Sequence, residues 1–121
     1  MRICEVVINN NSGVLSCGQF ITNCDELILF LRCLGTRVDV LVLTETWFSV
    51  DNVQNIEGFD GYHSFRSDRA GGGVSVYVRE VYKSRILSDI SYVTPIMEVC
   101  SVNILVGRSI GLNIIGCYRL R

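Results

Sequence analysis

Two polar residues each follow an apolar run, and their side chains could bind a metal ion. Asn9 follows the run from Ile3 to Ile8, and Glu45 follows the run from Val38 to Thr44. A carboxylate is costly to bury without a partner, so Glu45 is expected either at an open rim of a sheet or on a cation. Carboxylate and amide oxygens are hard ligands that suit Mg²⁺ or Mn²⁺ better than zinc. The pattern therefore indicates a magnesium-type site, with a turn at Asn9 and a solvated charge at Glu45 as the alternatives.

The elements that must position Asn9 and Glu45 form a strand–helix–strand unit. The segment from Ser12 to Thr22 is predicted to be a loop. A helix is predicted to begin at Asn23, where Asn23-x-x-Glu26 resembles a capping box, and its apolar stripe comprises Leu27, Ile28, Leu31 and Leu34 before Gly35 ends it. If the two flanking strands are parallel neighbours, their crossover is right-handed. Because Asn9 and Glu45 each end a strand of this unit, both are expected to reach the same rim.

The second half of the chain is predicted to be mostly strand. Strict alternation from Gly73 to Arg79 places Val74, Val76 and Val78 on one face, and this strand forms a hairpin with a short strand at Tyr62–Arg66. A long irregular connection from Phe48 to Gly61 precedes that hairpin. Further strands are predicted, weakly at Ser84–Ser88 and clearly at Glu98–Val106 and Leu112–Tyr118. The pattern predicts an α/β fold of sheet layers covered by helices.

Composition limits the classes of protein to which the chain can belong. Its 121 residues fit one domain or part of a larger one, and 49% are hydrophobic, with a mean hydropathy of +0.35. Such apolar content suggests that part of the apolar surface is covered by a partner. A net charge of −1 gives no global case for nucleic-acid binding. The six cysteines contain no C-x-x-C pair and the chain has one histidine, which argues against zinc. Without a signal-peptide core or an 18-residue apolar run, we expect an intracellular protein that does not span a membrane, with the nucleus among the possible compartments.

Several motifs in order along the chain resemble one protein family. They are Asn9-x-Asn11-Ser12, Asp25-Glu26-Leu27, Asp39 to Trp47 (DVLVLTETW), Gly61-Tyr62-x-x-Phe65-Arg66-x-Asp68-Arg69, Gly71-Gly72-Gly73-Val74 and Tyr118-Arg119. This combination resembles the endonuclease domain of non-LTR (LINE-type) retrotransposons, within the endonuclease/exonuclease/phosphatase superfamily. The resemblance spans nearly all of residues 1–121. It implies a partial two-sheet α/β sandwich of the DNase I-like type that lacks its C-terminal portion.

The resemblance also implies roles for individual residues. Glu45 matches the glutamate that binds the catalytic Mg²⁺ or Mn²⁺, and Asn9 matches the asparagine on the metal side, with Asn11 as a rival. Tyr118 matches a tyrosine that contacts the scissile phosphate, although Leu120 stands where the family has proline.

Two later motifs of the family, Asp-x-Asn and Ser-Asp-His, do not occur in this sequence. The expected function is therefore that of an amino-terminal fragment of a DNA-nicking endonuclease, inactive alone. The alternative is a non-catalytic remnant that binds DNA or protein. Uncovered apolar surface in such a fragment predicts association.

Other residues near these motifs have simpler interpretations. Trp47 and Phe48 are predicted to pack in the core rather than to stack on a base, and His63 to lie on a strand surface. Among Arg66, Asp68 and Arg69, an Arg–Asp pair that holds the hairpin is expected, the alternative being a contact of the two arginines with the DNA backbone. The run Gly71–Gly73 leads into a strand, so it predicts a tight turn rather than a phosphate loop. Glu98 either supports the metal site or is an exposed strand residue.

Overall fold

The structure is a computed structural model that describes residues 6–10, 13–17, 24–33, 38–66, 72–108 and 110–119. The single helix of these residues, α1, spans Cys24–Cys33, and a 3₁₀ turn spans Ser88–Ile90. The strands are β1 (Val6–Asn10), β2 (Gly13–Cys17), β3 (Val40–Thr44), β4 (Phe59–Ser64), β5 (Val74–Arg79), β6 (Lys83–Ile86), β7 (Tyr92–Val93), β8 (Met97–Leu105) and β9 (Gly111–Arg119).

Two antiparallel sheets and one helix make up the described fold, which is α/β in content but rich in sheet. The first sheet has the order β2-β1-β3-β5-β4. In the second, β8 pairs with β6 and β7 and also with β9 along its whole length. The helix, the strand at residues 74–79, the β4–β5 hairpin and the last two predicted strands, observed as β8 and β9, are confirmed. No helix among these residues has the length and apolarity that a membrane span requires.

The core lies on both faces of the first sheet. One cluster, between the two sheets, joins Val74, Val76 and Val78 of β5 to Cys100 and Val102 of β8. On the opposite face, α1 contributes Leu27 to a cluster that contains Leu41, Leu43 and Tyr77. Because the alternating residues of β5 serve both clusters, Val74 to Val78 are all buried.

The strand–helix–strand prediction is wrong in the direction of its strands. Residues 13–17, expected within a loop, form β2, which is antiparallel to β1 and pairs Gly13 with Asn10. Because β2 is an additional strand between β1 and α1, the chain enters β3 in the direction opposite to that of β1. As a result β1 is antiparallel to β3, and the strand that α1 connects in parallel to β3 is β2, with β1 between them in the sheet.

Candidate active site

Glu45 is the first residue after β3, and the backbone around it has an uncommon conformation. Both Glu45 and Trp47 have positive φ angles, 54° and 60°. Such angles cost a residue with a Cβ atom about 1–2 kcal/mol, so neighbouring groups must hold the segment in place. The Trp47 N–H donates to the carbonyl of Gly72 at 2.8 Å, and the Thr46 N–H donates to that of Gly73 at 3.3 Å. Backbone strain of this kind concentrates at functional sites.

The side chain of Tyr118 reaches Glu45 from the other sheet. Tyr118 lies one residue before the end of β9, and its hydroxyl donates a hydrogen bond to Oε1 of Glu45. Both side chains are partly buried. The sequence-predicted residues Glu45 and Tyr118, 73 positions apart, are therefore brought into contact.

Asn9 is not brought to this site. In the antiparallel register Asn9 is opposite Val40, at the start of β3, whereas Glu45 follows the end of that strand. Five residues of strand separate the two positions by roughly 16 Å. The expectation that both reach one rim is wrong, because β1 is antiparallel to β3 and the two strands end at opposite edges of the sheet. Asn11 lies outside the described residues.

The donor set at Glu45 suits a hard cation. Mg²⁺ prefers oxygen ligands, retains several waters and commonly takes only one or two protein carboxylates. Glu45 supplies one carboxylate, and Tyr118 supplies a hydroxyl beside it. Within the part of the chain that the structure describes, no group of three His, Cys, Asp or Glu side chains could hold a metal. A single carboxylate such as that of Glu45 would be compatible with an ion held largely by water.

Glu98 lies beside this pair and is fully buried, so its interpretation as an exposed strand residue is wrong. It is the cross-strand partner of Tyr118. Its Oε2 accepts a hydrogen bond from the Gly73 N–H, and its Oε1 accepts one from Nε of Arg66 at 3.1 Å.

Arg66 therefore pairs with Glu98, whereas Asp68 and Arg69 lie outside the described residues. The Arg66 side chain is only 8% exposed, which makes it unsuited to contact DNA. Its Nη2 has no hydrogen-bond partner in the structure described. The sequence does single out Glu98, since it is the one acidic residue of an apolar strand. Spacing along the chain could not show that its side chain meets that of Arg66.

Gly72 and Gly73 form the segment that connects Glu98 to the residues after β3. Their φ angles, 70° and 98°, lie in the left-handed region that favours glycine, whereas Gly71 of the predicted turn lies outside the described residues. A Cβ atom on Gly73 would lie 2.5 Å from Oγ1 of Thr46, and one on Gly72 would clash with the Glu98 carboxylate. Glycine is therefore required at both positions.

The aromatic residues near the rim divide into a buried group and an exposed one. Phe48 is buried as predicted, whereas Trp47 is 52% exposed and the prediction of core packing for it is wrong. His63 is partly buried rather than on the surface, with Nδ1 at 2.7 Å from Oγ of Ser75 and ring contacts to Phe48 and Tyr77. This burial lowers the pKa of His63 below its usual 6.5.

No protein-family profile, curated protein or solved structure matches this chain.

Proposed function

We propose that this chain is the amino-terminal part of a Mg²⁺-dependent DNA endonuclease domain, of the type that nicks target DNA in retrotransposition. The observation that carries the proposal is the hydrogen bond from Tyr118 to Glu45. The resemblance of the sequence motifs implies a metal role for Glu45 and a phosphate role for Tyr118. Their contact across two sheets supports a common site for the metal and the scissile phosphate.

Each residue has a defined task in this proposal. Glu45 would hold Mg²⁺ or Mn²⁺, which would supply charge neutralisation and an activated water for phosphodiester hydrolysis. Tyr118 orients the Glu45 carboxylate through its hydroxyl, and that hydroxyl would contact the scissile phosphate. Trp47, exposed two residues from Glu45, offers a ring on which a base can stack.

Hydrolysis needs further groups that orient the water and stabilise the developing charge. The family supplies these groups from its Asp-x-Asn and Ser-Asp-His motifs, which do not occur in these 121 residues. We therefore expect the 121 residues alone to bind metal without nicking plasmid DNA in Mg²⁺. Nicking that Glu45→Ala abolishes would contradict this expectation.

Metal binding is the direct test. Titration with Mn²⁺, with free Mn²⁺ measured by electron paramagnetic resonance, should give one site of roughly millimolar affinity. Glu45→Gln should abolish this site and Tyr118→Phe should weaken it several-fold, because the carboxylate then loses its orienting donor. The matched control is Glu57→Gln, which removes an exposed carboxylate from the loop before β4. If Glu45→Gln binds Mn²⁺ as the parent does, the proposal is wrong.

The alternative of a non-catalytic binding module is favoured by one surface. Lys83 and Arg85 of β6 lie opposite Leu105 and Asn103 of β8, so two cations and an amide share the outer face of the second sheet. Such a face can contact phosphates without chemistry. Salt-dependent binding of duplex DNA that Lys83→Gln and Arg85→Gln weaken, and that Glu45→Gln leaves unchanged, would favour this module.

A further inference from the structure

The described residues contain one buried ion pair near the proposed metal site, and it joins the two sheets. Arg66 follows β4 of the first sheet, and Glu98 lies near the start of β8 in the second. The Glu98 side chain is 0% exposed and that of Arg66 is 8% exposed. Replacing such a pair with apolar residues is often neutral for stability, so stability alone is weak grounds for its presence.

The hydrogen bonds of Glu98 connect it to the backbone around Glu45. Its carboxylate accepts the N–H of Gly73. The carbonyls of Gly72 and Gly73 in turn accept the N–H groups of Trp47 and Thr46, the two residues that follow Glu45. Glu98 thus lies two hydrogen bonds away from a segment that is held at positive φ.

We propose that Glu98, whose buried charge Arg66 neutralises, is a positioning residue that holds the segment Gly72–Gly73 and through it sets the orientation of Glu45 toward the metal. The orienting step is the hydrogen bond from the Gly73 N–H to the carboxylate. Arg66 neutralises that carboxylate by donating from Nε to Oε1 at 3.1 Å, and Oε2 accepts the Gly73 N–H. The role in metal binding rests on the proposed function, whereas the positioning of the backbone does not.

Two double variants separate positioning from stability. Arg66→Met with Glu98→Leu removes both charges and also the acceptor for the Gly73 N–H. Arg66→Met with Glu98→Gln removes both charges but keeps an amide oxygen that can accept that N–H. Neither variant leaves an unpaired buried charge, so both are expected to fold.

The primary measurement is amide hydrogen exchange of Thr46 and Trp47 relative to that of Val76, which lies in the middle of β5 and reports opening of the sheet. In the double variant with Glu98→Leu, the Thr46 and Trp47 amides should exchange about tenfold faster relative to Val76, as expected for loss of a charged hydrogen bond. Mn²⁺ affinity should fall by a similar factor. The double variant with Glu98→Gln should restore both quantities to within about threefold of the parent.

Each other outcome has a definite meaning. Unchanged relative exchange at Thr46 and Trp47 overturns the proposal, as does an equal acceleration at Val76, which would show a general loss of stability. Failure of Glu98→Gln to restore the protection also overturns it. If the exchange results hold but the parent chain binds no Mn²⁺, then the proposed function is wrong and the positioning of the segment after β3 stands.

Discussion

Among individual side chains, His63 links the stability of the fold to pH. It is enclosed by Phe48, Tyr77 and Ser75, and burial lowers its pKa below 6.5. The unfolded chain therefore binds more protons than the folded chain between the two pKa values. The contribution of His63 to the free energy of unfolding is fully present above pH 6.5 and is lost as pH falls through the folded-state pKa.

The prediction is that acidification destabilises the parent chain more than a variant without the imidazole. Urea unfolding at pH 7.5 and pH 5 measures the change in the free energy of unfolding for the parent and for His63→Gln, which is neutral at both values. Titration of carboxylates is common to the two proteins, so the difference between their changes reports His63 alone. An equal change in both would contradict the assignment.

Thiol reactivity distinguishes cysteines by their burial. Cys100 is fully buried between the sheets, and this raises its pKa to about 11, whereas Cys117 of β9 is exposed. Since the thiolate is the reactive form, Cys100 is expected to resist alkylation at pH 8 while Cys117 reacts. Mass spectrometry of the alkylated peptides measures both, and rapid modification of Cys100 in the folded chain would contradict its placement in the core.

At the scale of elements, the positive φ angles of the segment Gly72–Gly73 lead to a prediction about backbone conformation. Gly73→Ala places a Cβ atom 2.5 Å from Oγ1 of Thr46 at a φ of 98°. We expect a loss of about 1–3 kcal/mol in unfolding free energy. The control is Gly107→Ala in the β8–β9 connection, where a Cβ atom meets nothing within 4 Å. Denaturant unfolding measures the unfolding free energy of both variants, and equal losses would show that position 73 does not require glycine.

The sequence predicted elements well where one periodicity dominates. Val74 to Arg79 alternate strictly, and the helix has a polar start and an apolar stripe, so each was found close to its observed bounds. β4 was placed three residues too late, because Asp60 and Gly61 resemble turn residues. Gly61 instead lies in the strand, where a Cβ atom would be 2.8 Å from the Tyr77 ring. Such a requirement comes from tertiary packing and is not visible in local sequence.

The site was predictable only in part, for a similar reason. Glu45 and Tyr118 were identified from motifs, and the structure brings them together. The direction of β1 depends on β2, whose residues Gly13–Cys17 lack a clear alternating pattern, so the position of Asn9 was predicted wrongly. The pairing of Arg66 with Glu98 depends on how two sheets pack, and no spacing along one strand encodes it.

For the molecule as a whole, the outer face of β9 is the surface most open to association. Ile115 is 58% exposed, and Cys117 and Arg119 lie on the same face of the strand. In the structure described, β9 pairs with β8 alone, which leaves its second edge without a strand. Exposed apolar edge strands promote pairing between chains.

We therefore expect concentration-dependent association that Ile115→Lys reduces. Analytical ultracentrifugation measures the association, and binding of a hydrophobic dye measures the exposed apolar surface. Val50→Lys is the matched control, because Val50 is also exposed but lies in the loop after β3. A chain that stays monomeric and does not bind dye would contradict the expectation.

The contact between Tyr118 and Glu45 also determines when the site can exist during synthesis. The ribosome produces Glu45 first and Tyr118 73 residues later, which at ordinary elongation rates is a delay of roughly 4–15 s. β3 and its helix can form during that interval, but the carboxylate still lacks its tyrosine. The contact between Tyr118 and Glu45 therefore forms late in synthesis, after β9 has left the ribosomal exit tunnel.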